Sequence, residues 1–411
     1  MEVGKRVLLP LGLGTALSLM GDATLYTVLP THTAEAGITL ASVGVILAVN
    51  RAIRILLNGP AGLAYDRFPR RRLLIPSLFL GALSTAICGL ARGFWPLLAG
   101  RLLWGLAWSG IWIGGNTAIL DVADERNRGR WTGLYQAWFF VGGALGFLFG
   151  GVLTDWLGYH QALVVGAVVS AAGALPALFA LPETKEALPP AASKRPDAKP
   201  RPETNAVAHR GEMAMVIAVQ AVNRFVMAGV MAATLSLLLL DRLGDSLTLG
   251  RLTLGVATVT GLLLAARMLL AMASAPVMGS LSDAEAGRWR LMPWTLLAAA
   301  VGMALLACGP PLLLVIGALL GAVASGGLQA LIVALTGDLT PASRRGRSVG
   351  LLQTLGDIGS AAGPLLAYAL LPYLGLAGVY FLCAGLLLLT LILLCCWMAV
   401  WRDPARSRHF V

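Results

Sequence analysis

Twelve long apolar runs dominate this chain and constrain its fold more than any other feature. Each run has about 20 residues or more, the length that an α-helix needs to cross roughly 30 Å of hydrocarbon. Lipid offers the backbone no hydrogen-bond partners, so runs of this length must be helices. We predict spans at residues 7–30, 43–65, 73–91, 95–118, 131–153, 161–181, 213–240, 252–281, 291–309, 311–336, 349–371 and 376–401.

Composition supports a membrane protein and argues against several functions. Hydrophobic residues make up 57% of the chain and charged residues 12%, about half of the charge that a soluble domain carries. The net charge of +11 comes mostly from short segments between spans, so we expect no nucleic-acid partner. The cysteines lie inside apolar runs, with neither disulfide nor metal-site spacing. No phosphate-binding loop or enzymatic constellation is evident, and we predict no cofactor, no metal and no catalysis.

Basic residues predict the orientation, since cytoplasmic loops are enriched in Lys and Arg. The loops after spans 2, 4, 8 and 10 and both chain ends are basic, whereas the opposite side carries only Arg92, Arg242 and Arg251. We therefore predict cytoplasmic termini in a cell membrane, of the bacterial inner-membrane type. Residues 182–212, rich in Pro and charge, predict a cytoplasmic linker. It separates six-helix bundles at 1–181 and 213–401, and residues 402–411 form a cytoplasmic tail.

The two halves also resemble each other in sequence. A shift of 217 residues aligns Arg128-Gly129-Arg130 with Arg345-Gly346-Arg347, and Asp121 with Asp338. The same shift pairs Gly158 with Gly375, and a shift of 216 pairs Arg51 with Arg267. Parallel repeats of this kind place a substrate site near the bilayer midplane. The fold class that we predict is all-α, with twelve spans in two pseudo-symmetric bundles.

The loop after span 2 carries the family resemblance. It reads Gly62-Leu-Ala-Tyr-Asp66-Arg67-Phe-Pro-Arg70-Arg71, which is similar to the G-x-L-x-D-R-x-G-R-R motif of the major facilitator superfamily. A degenerate copy, Gly279-Ser-Leu281-Ser-Asp283, follows span 8, and Pro182-Glu183-Thr184 at the end of span 6 recurs in that family. The resemblance covers essentially the whole chain. It implies alternating access in a transporter, closest in look to bacterial multidrug and metabolite efflux members.

Two groups of residues take their expected roles from this resemblance. Charges of the loop motif form a conformational latch in the family, and here they would act with an aspartate at the end of span 4. The latch residues are Gly62, Asp66, Arg67, Arg70, Arg71 and Asp121. Gly142, Gly146 and Gly150 in span 5 resemble the glycines of the antiporter motif, although Phe147 replaces its proline. Gly59 and Gly62 would also let span 2 pack closely on a neighbour.

Ionisable residues inside the spans are functional candidates because charges there are costly. They are the bases Arg51, Arg54, Arg101, Arg224 and Arg267 and the acids Asp22 and Asp357. At about 1.5 Å per residue, Asp22 overlaps in depth with Arg51 and Arg54, which makes an ion pair with either of them feasible. Arg101 lies near a span end, from which its side chain could snorkel. Asp22, and after it Asp357, are the candidates for proton coupling.

Polar and aromatic stripes predict a wet cavity. On span 2, Asn50, Arg54 and Asn58 recur every four residues, and span 1 carries Asp22 and Tyr26 on one stripe. On span 4, Trp104, Trp108, Trp112 and Asn116 have the same spacing, which suits stacking on flat or cationic substrates. The predicted cavity residues are Tyr26, Asn50, Arg51, Arg54, Asn58, Trp108, Trp112, Asn116, Arg224 and Arg267. Packing within the protein would explain these stripes equally well.

These features predict a monomeric secondary active transporter in the lipid bilayer that exports small organic molecules in exchange for protons. A first alternative is a transporter of an organic anion or an anionic lipid, because bases outnumber acids inside the spans. A second alternative, of another class, is a non-transporting membrane sensor on the same fold.

The linker gives a direct test of the topology. In a variant with Ala192→Cys, a membrane-impermeant thiol reagent should label residue 192 only after the cells are opened, because the linker is expected in the cytoplasm. Labelling of this position from the periplasm of intact cells would contradict the two-bundle arrangement. A cysteine introduced at Arg251, on the opposite face, serves as the positive control.

Overall fold

The computed structural model describes residues 2–123, 127–185, 206–283, 287–340 and 345–401, and almost all of them are helical. The helices are α1 (Glu2–Val28), α2 (Thr33–Ala36), α3 (Leu40–Arg67), α4 (Arg70–Leu90), α5 (Phe94–Val122), α6 (Arg128–Leu157), α7 (Tyr159–Ala180), α8 (Ala206–Asn223), a π-helical segment (Arg224–Met231), α9 (Ala232–Leu243), α10 (Val256–Asp283), α11 (Arg288–Cys308), α12 (Pro311–Leu339) and α13 (Arg345–Trp401). Most of the predicted linker and the tail lie outside the described residues.

The predicted spans are confirmed. By length and composition, 11 helices can cross a membrane, and the last of them covers Gly350–Val400. That helix is two spans, because Gly375 interrupts it with a φ of 64°. The break falls between the predicted spans 349–371 and 376–401. The described chain therefore contains twelve spans, and its all-α class is confirmed.

One short hairpin lies between α9 and α10. Strand β1 (Ser246–Leu249) pairs antiparallel with β2 (Leu252–Gly255), and Gly250 has a φ of 64° in the turn. The predicted span 252–281 was wrong at its start, because residues 252–255 form β2 and the helix begins at Val256. Alternating Leu and Thr residues suit a strand better than a helix.

The internal repeat is visible in the helix lengths. Helices α3, α4 and α5 have 28, 21 and 29 residues, and α10, α11 and α12 have the same three lengths in the same order. Gly158 and Gly375, paired by the shift of 217, both have positive φ values, 87° and 64°. A left-handed backbone favours glycine, so both halves join two consecutive spans by the same tight device.

The chain divides into two compact units. The first contains Met1–Glu203 with Ala233–Leu269, and the second contains Thr204–Ala232 with Leu270–Val411. The first unit thus includes α9 and the first half of α10 in addition to α1–α7. The division into bundles 1–181 and 213–401 remains a prediction from the sequence repeat.

Glycines on α6 hold the first unit together on two faces. On one face, a Cβ at Gly142 would lie 2.6 Å from the Ala16 carbonyl oxygen, and one at Gly150 would lie 2.8 Å from the Thr24 Cα atom. Gly146 meets α1 between these positions. The predicted motif glycines therefore let the backbones of α1 and α6 touch, as small residues do between membrane helices.

The other face of α6 meets α10. A Cβ at Gly151 would lie 2.8 Å from the Ala257 carbonyl carbon, and one at Gly261 would lie 3.1 Å from the Phe147 carbonyl carbon. At the end of α6, Asp155 Oδ2 accepts a hydrogen bond of 2.7 Å from the Thr258 backbone N–H. This carboxylate satisfies an otherwise unpaired donor in the first turn of α10 and complements its helix dipole.

Replacing Gly142 by alanine tests the α1–α6 contact. The added methyl group has no room against the Ala16 backbone, so Gly142→Ala should lower the free energy of unfolding by about 1–3 kcal/mol. Thermal unfolding in detergent measures this loss. The control is Gly133→Ala in the same helix, where no described atom lies within 4 Å of a new Cβ. It should be neutral or raise stability by up to about 1 kcal/mol. Equal midpoints for the two variants would contradict the contact.

Candidate functional site

Asp22 and Arg101 form an ion pair inside the first unit. Arg101 Nη1 of α5 lies 2.5 Å from Asp22 Oδ1 of α1, and the Arg101 side chain is 1% exposed while that of Asp22 is 19% exposed. Arg101 Nε also points at the Ile46 carbonyl oxygen of α3, at 3.4 Å. The expectation that Arg101 snorkels to a membrane surface was therefore wrong. Its guanidinium group is buried, and Asp22 neutralises its charge. Depth along the spans had pointed instead to Arg51 or Arg54 as the partner of Asp22.

Asn50 and Tyr26 complete this site. Asn50 Nδ2 donates to the same Asp22 oxygen at 3.4 Å. The Tyr26 ring lies between two guanidinium groups, with its centroid 5.1 Å from Arg51 Cζ and 5.6 Å from Arg101 Cζ. Both distances are within the range of cation–π attraction. Its hydroxyl group donates to the Leu47 carbonyl oxygen at 3.0 Å, which fixes the ring against α3.

Two buried polar atoms at this site have no hydrogen-bond partner among the described residues. They are Asn50 Oδ1, an acceptor, and Arg101 Nη2, a donor. Each would cost about 1–3 kcal/mol if it remained unsatisfied. The site therefore has unused capacity for a water molecule or for a polar group of a ligand. The ionisable groups Asp22, Arg51 and Arg101 together carry one net positive charge while Asp22 is ionised.

The other predicted residues of this unit lie along neighbouring faces. Arg54 and Asn58 follow Asn50 on α3 and are half-buried, as is Arg267 on α10. Asn116 is half-buried, and its Nδ2 donates to the Trp112 carbonyl oxygen at 2.7 Å. The structure brings Asp22, Tyr26, Asn50 and Arg51 together.

The tryptophan stripe of α5 is stacked upon itself. The rings of Trp104 and Trp108 have centroids 5.9 Å apart, and those of Trp108 and Trp112 are 5.7 Å apart. Phe139 of α6 packs against Trp108 and Trp112. Trp104 and Trp108 belong to the hydrophobic core, whereas Trp112 is half-buried. Most of this aromatic surface is thus buried by packing, and of the three tryptophan rings only that of Trp112 keeps a partly exposed surface.

The predicted latch residues Arg70 and Asp121 are in contact. Arg70 Nε lies 2.9 Å from Asp121 Oδ2, and both side chains are less than a tenth exposed. Thr184 Oγ1 donates to the same carboxyl oxygen at 3.0 Å. Arg71 donates to the Leu178 carbonyl oxygen. All of these groups belong to the first unit, so the pair joins helix ends within that unit.

The remaining latch residues are placed differently. Asp66 and Arg67 are exposed, and the Asp66 carbonyl oxygen accepts a hydrogen bond of 2.8 Å from Lys185 Nζ. The expected close packing at Gly59 and Gly62 was wrong, because no described atom lies within 4 Å of a Cβ at either position. Helix α3 ends at Arg67. Near this end, no neighbouring helix among the described residues packs closely against the two glycines.

Glu183 binds the first turn of α4. In the sequence, Glu183 was identified only as part of the recurring tripeptide Pro182-Glu183-Thr184. Its Oε1 accepts the Arg70 backbone N–H at 2.8 Å, and its Oε2 accepts that of Arg71 at 3.1 Å. Partial burial acts to raise the Glu183 pKa, but the backbone N–H groups of Lys185, Arg70, Arg71 and Thr184 stabilise the carboxylate. The resulting pKa lies below the ordinary value of 4.5.

The second unit contains the other acidic candidate. Arg224 Nη2, at the start of the π-helical segment, lies 3.8 Å from Asp357 Oδ1 of α13. Gln220 and Asn223 precede Arg224 on α8 and are fully buried. Neither amide was identified from the sequence, although Gln220, Asn223 and Arg224 share one helical face.

The repeat produces a second basic–acidic contact in this unit. Arg288 of α11 pairs with Asp338 and with Asp283, which correspond by the shift of 217 to Asp121 and Asp66. Asp338 is 53% exposed, whereas Asp121 is 7% exposed. Glu183 and Thr184 cover the contact in the first half, and the residues that the shift of 217 aligns with them, Val400 and Trp401, carry no carboxylate or hydroxyl group.

Comparison with known proteins agrees with this architecture. The family model described as Major Facilitator Superfamily matches residues 11–259 and 225–411. A solved bacterial homologue of the human lysosomal transporter Spinster, in an inward-facing and occupied conformation, superimposes with a TM-score of 0.75. The two chains are 18% identical, and the match covers 98% of this chain and 96% of the other. At this identity the likeness establishes the fold alone.

Two curated relatives share sequence with the chain. A probable 4-methylmuconolactone transporter of Cupriavidus pinatubonensis is 32% identical over 168 residues, which are 41% of this chain and 39% of that protein. The matched part is thus well under half of the relative's length. The multidrug resistance protein MdtG of Serratia proteamaculans is 28% identical over 353 residues, which are 85% of this chain and 81% of the relative.

Twelve spans in repeated halves, with ion pairs inside the spans, define a multi-pass membrane protein. The match of the family model over nearly the whole chain makes the assignment specific. The chain belongs to the Major Facilitator Superfamily.

Glu183→Gln tests the contact at the start of α4. The amide keeps one acceptor oxygen but loses the charge, so the variant should lose about 0.5–2 kcal/mol of stability at pH 7. A lowered pKa means that the stabilisation is complete above the ordinary pKa and disappears as the pH falls through the folded value. Thermal midpoints of the wild type and the variant should therefore converge as the pH falls below 4.5. A difference that is independent of pH, or an equal effect of Glu35→Gln at an exposed position, would contradict this role.

Proposed function

We propose that this protein is a secondary active transporter that exports small organic molecules in exchange for protons, with Asp22 as the coupling carboxyl group. The observation that carries the proposal is the buried Asp22–Arg101 pair at 2.5 Å, with Asn50 on the same carboxyl oxygen. A charged pair within a span is costly and needs a functional reason. A carboxyl group that neutralises a buried base can act as a proton switch.

Proton binding at Asp22 changes the balance of the site. It leaves the Arg101 guanidinium, which is 1% exposed, without its counter-charge. Loss of one partner of a buried pair costs about 3–5 kcal/mol. To move a two-state equilibrium from 1:99 to 99:1 takes about 5.5 kcal/mol. Protonation of this one group thus supplies most of the free energy that is needed to favour a different access state, in which Arg101 finds other partners.

The substrate would bind next to this pair. Arg101 Nη2 and Asn50 Oδ1 offer a donor and an acceptor, and Tyr26 and half-buried Trp112 offer ring faces. Arg51, Arg54, Asn58, Asn116, Arg224 and Arg267 remain cavity candidates. The direction and substrate class draw support from relatives named as a multidrug resistance protein and as a probable 4-methylmuconolactone transporter. We place both termini in the cytoplasm, on the basis of the basic loops.

A specific observation favours a second candidate, the transport of an organic anion. Arg51 and Arg101 both lie over the Tyr26 ring, and Asp22 supplies one negative charge against their two positive charges. A carboxylate substrate would balance this excess and satisfy the guanidinium geometry. In that case Arg51 binds the substrate, and Asp22 serves to hold Arg101.

Asp22→Asn tests the coupling role. The purified protein is reconstituted in proteoliposomes with an imposed pH gradient, and ethidium, 4-methylmuconolactone and benzoate serve as probes. Asparagine mimics the protonated carboxyl group but cannot release a proton. We expect gradient-driven transport to fall to background, while exchange of the labelled probe at equal pH persists. The control is Asp241→Asn, which removes an exposed carboxylate that pairs with Arg242 and should transport as the wild type does.

Other outcomes separate the competing roles. If Asp22 only braces Arg101, Asp22→Asn should impair folding, and a second change, Arg101→Gln, should restore it. If the protein transports anions, Arg51→Gln should lose benzoate binding while Asp22→Asn changes little. Uphill transport by Asp22→Asn at the wild-type rate would remove Asp22 as the coupling group.

A further inference from the structure

Gln220 is a buried amide whose side-chain hydrogen bonds are not made by the part of the chain that the structure describes. Its side chain is 0% exposed, and neither Nε2 nor Oε1 has a hydrogen-bond partner among the described residues. Asn223, one helical turn away and 1% exposed, has the same deficit at Oδ1. A buried polar atom that makes no hydrogen bond destabilises the folded protein. Three such atoms on one face of α8 indicate a polar occupant between α8 and its neighbours.

The same face ends at an ion pair that is too long for a direct hydrogen bond. Arg224 Nη2 and Asp357 Oδ1 lie 3.8 Å apart, whereas charge-assisted N–H···O bonds are about 2.7–2.9 Å long. A polar contact across more than about 3.5 Å is commonly bridged by water. A buried water needs two to four polar partners. Gln220 and Asn223 offer one donor group, Gln220 Nε2, and two acceptors, Gln220 Oε1 and Asn223 Oδ1, to such a water.

Close helix contacts confine these groups. A Cβ at Gly229 would lie 2.8 Å from the Gly363 Cα atom, and one at Gly359 would lie 2.5 Å from the Ala221 carbonyl oxygen. These glycines let α8 and the π-helical segment pack closely against α13. The Gln220 side chain is therefore held between the helices, away from bulk water and lipid. Gly356 keeps space open beside the amide, since its Cβ would lie 3.3 Å from Gln220 Nε2. Single π-helical turns within α-helices are frequent at functional sites.

We propose that Gln220, Asn223, Arg224 and Asp357 form a hydrated proton-binding site in the second unit. Bound water links the Gln220 amide to the Asp357 carboxylate, and a hydronium ion delivers its proton to a carboxyl oxygen of Asp357. A neutral carboxyl group and a water molecule result, and the site then carries the single positive charge of Arg224. The use of this proton in transport rests on the function proposed above, but its binding does not.

The elements packed against α13 place few other charges near Asp357. These elements are α8, the π-helical segment, α11 and α12. Apart from Arg224, the ionisable groups among their described side chains lie near helix ends, and they are Glu212, Arg288, Arg290, Cys308 and Asp338. Glu212 precedes Arg224 by about 18 Å along the helix. Arg224 is therefore the charge that faces Asp357 from its neighbours, while Ser360 Oγ donates to the Asp357 carbonyl oxygen on α13 itself.

Gln220→Met separates a filled site from an empty one by stability. Methionine has a similar shape and no amide. If nothing occupies the site, the substitution removes two unsatisfied polar atoms and should raise the thermal midpoint of the purified full chain. If water fills the site, the substitution removes the hydrogen bonds that Gln220 makes to that water, and it should lower the thermal midpoint. We expect a lower midpoint. Gln353→Met, at an exposed glutamine on α13, is the matched control and should leave the midpoint unchanged. A raised midpoint in Gln220→Met would overturn the proposal.

Infrared difference spectroscopy detects the proton itself. Wild-type protein in lipid nanodiscs, compared at acid and alkaline pH, should show the C=O stretching band of a buried carboxyl group. Asp357→Asn should remove that band, and Gln220→Met should slow its exchange with deuterium about tenfold, the effect of one lost hydrogen bond to a charged group. If Asp357→Asn folds poorly, the double variant Asp357→Asn with Arg224→Gln removes both charges. Spectra unchanged by either form would overturn the site.

Transport then distinguishes this inference from the proposed function. With a probe that the wild type moves, the substrate gradient at zero net flux reports the number of protons per substrate. We expect this number to fall by one in Asp357→Asn. If Asp22→Asn loses coupling while the Asp357→Asn spectra match those of the wild type, the second site fails and the proposed function stands. If no probe responds to the pH gradient but the Asp357 band is lost, the function fails and the proton site stands.

Discussion

A guanidinium removed from water and from the lipid headgroups must find its counter-charge inside the protein, and Arg101 is where this requirement is strictest. Its side chain is 1% exposed and its partner Asp22 lies on another helix. The pair fixes α5 against α1, and Asn50 and Tyr26 attach α3 to the same point. Three spans thus owe their mutual register to one charge. The proposed coupling role uses this dependence, because a proton on Asp22 withdraws the interaction that all three share.

The twelve spans could be predicted because the rule behind them is local. A run of about 20 apolar residues must become a helix in lipid, whatever lies around it. The boundary between the last two spans was predicted between residues 371 and 376, and the break at Gly375 falls there. The start of α10 was missed because residues 252–255 are apolar enough for a span, while their alternation favours a strand.

Side-chain partners across helices were harder to predict, because depth along a span does not say which faces meet. Asp22 was matched in depth with Arg51 and Arg54, yet Arg101 takes the carboxylate. Counting inward from the shared membrane side would have found it, since Asp22 lies about 9 Å from the end of α1 and Arg101 about 10 Å from the start of α5. Gln220 was missed because an uncharged amide within an apolar run is easily tolerated, and the one signal, its place on the same helical face as Asn223 and Arg224, was not used.

Both halves of the chain contain an arginine–aspartate contact that involves the end of a corresponding helix, but the aspartate side chain is far less exposed in the first half than in the second. The shift of 217 pairs Asp121 with Asp338 but Arg71, rather than Arg70, with Arg288, and the Arg70–Asp121 contact is covered by Glu183 and Thr184. A carboxylate that follows α7 therefore organises the beginning of α4. The first residues after the sixth span, Glu183 and Thr184, are thus hydrogen-bonded to the start of α4 and to Asp121 at the end of α5.

Glycines line both faces of α6 that contact another helix of the first unit. Toward α10, Gly151 and Gly261 bring backbone against backbone, whereas Gly143 meets the Met268 side chain. Helices that meet through their backbones can slide past each other with little change of side-chain rotamers. Helices with interdigitated side chains must first repack those side chains. Small sliding of packed helices is one of the two common forms of domain motion. At Gly151 and Gly261 little side-chain interlocking would have to be undone for such sliding, and the hydrogen bond from the Thr258 backbone N–H to Asp155 restrains the end of α6 against the first turn of α10.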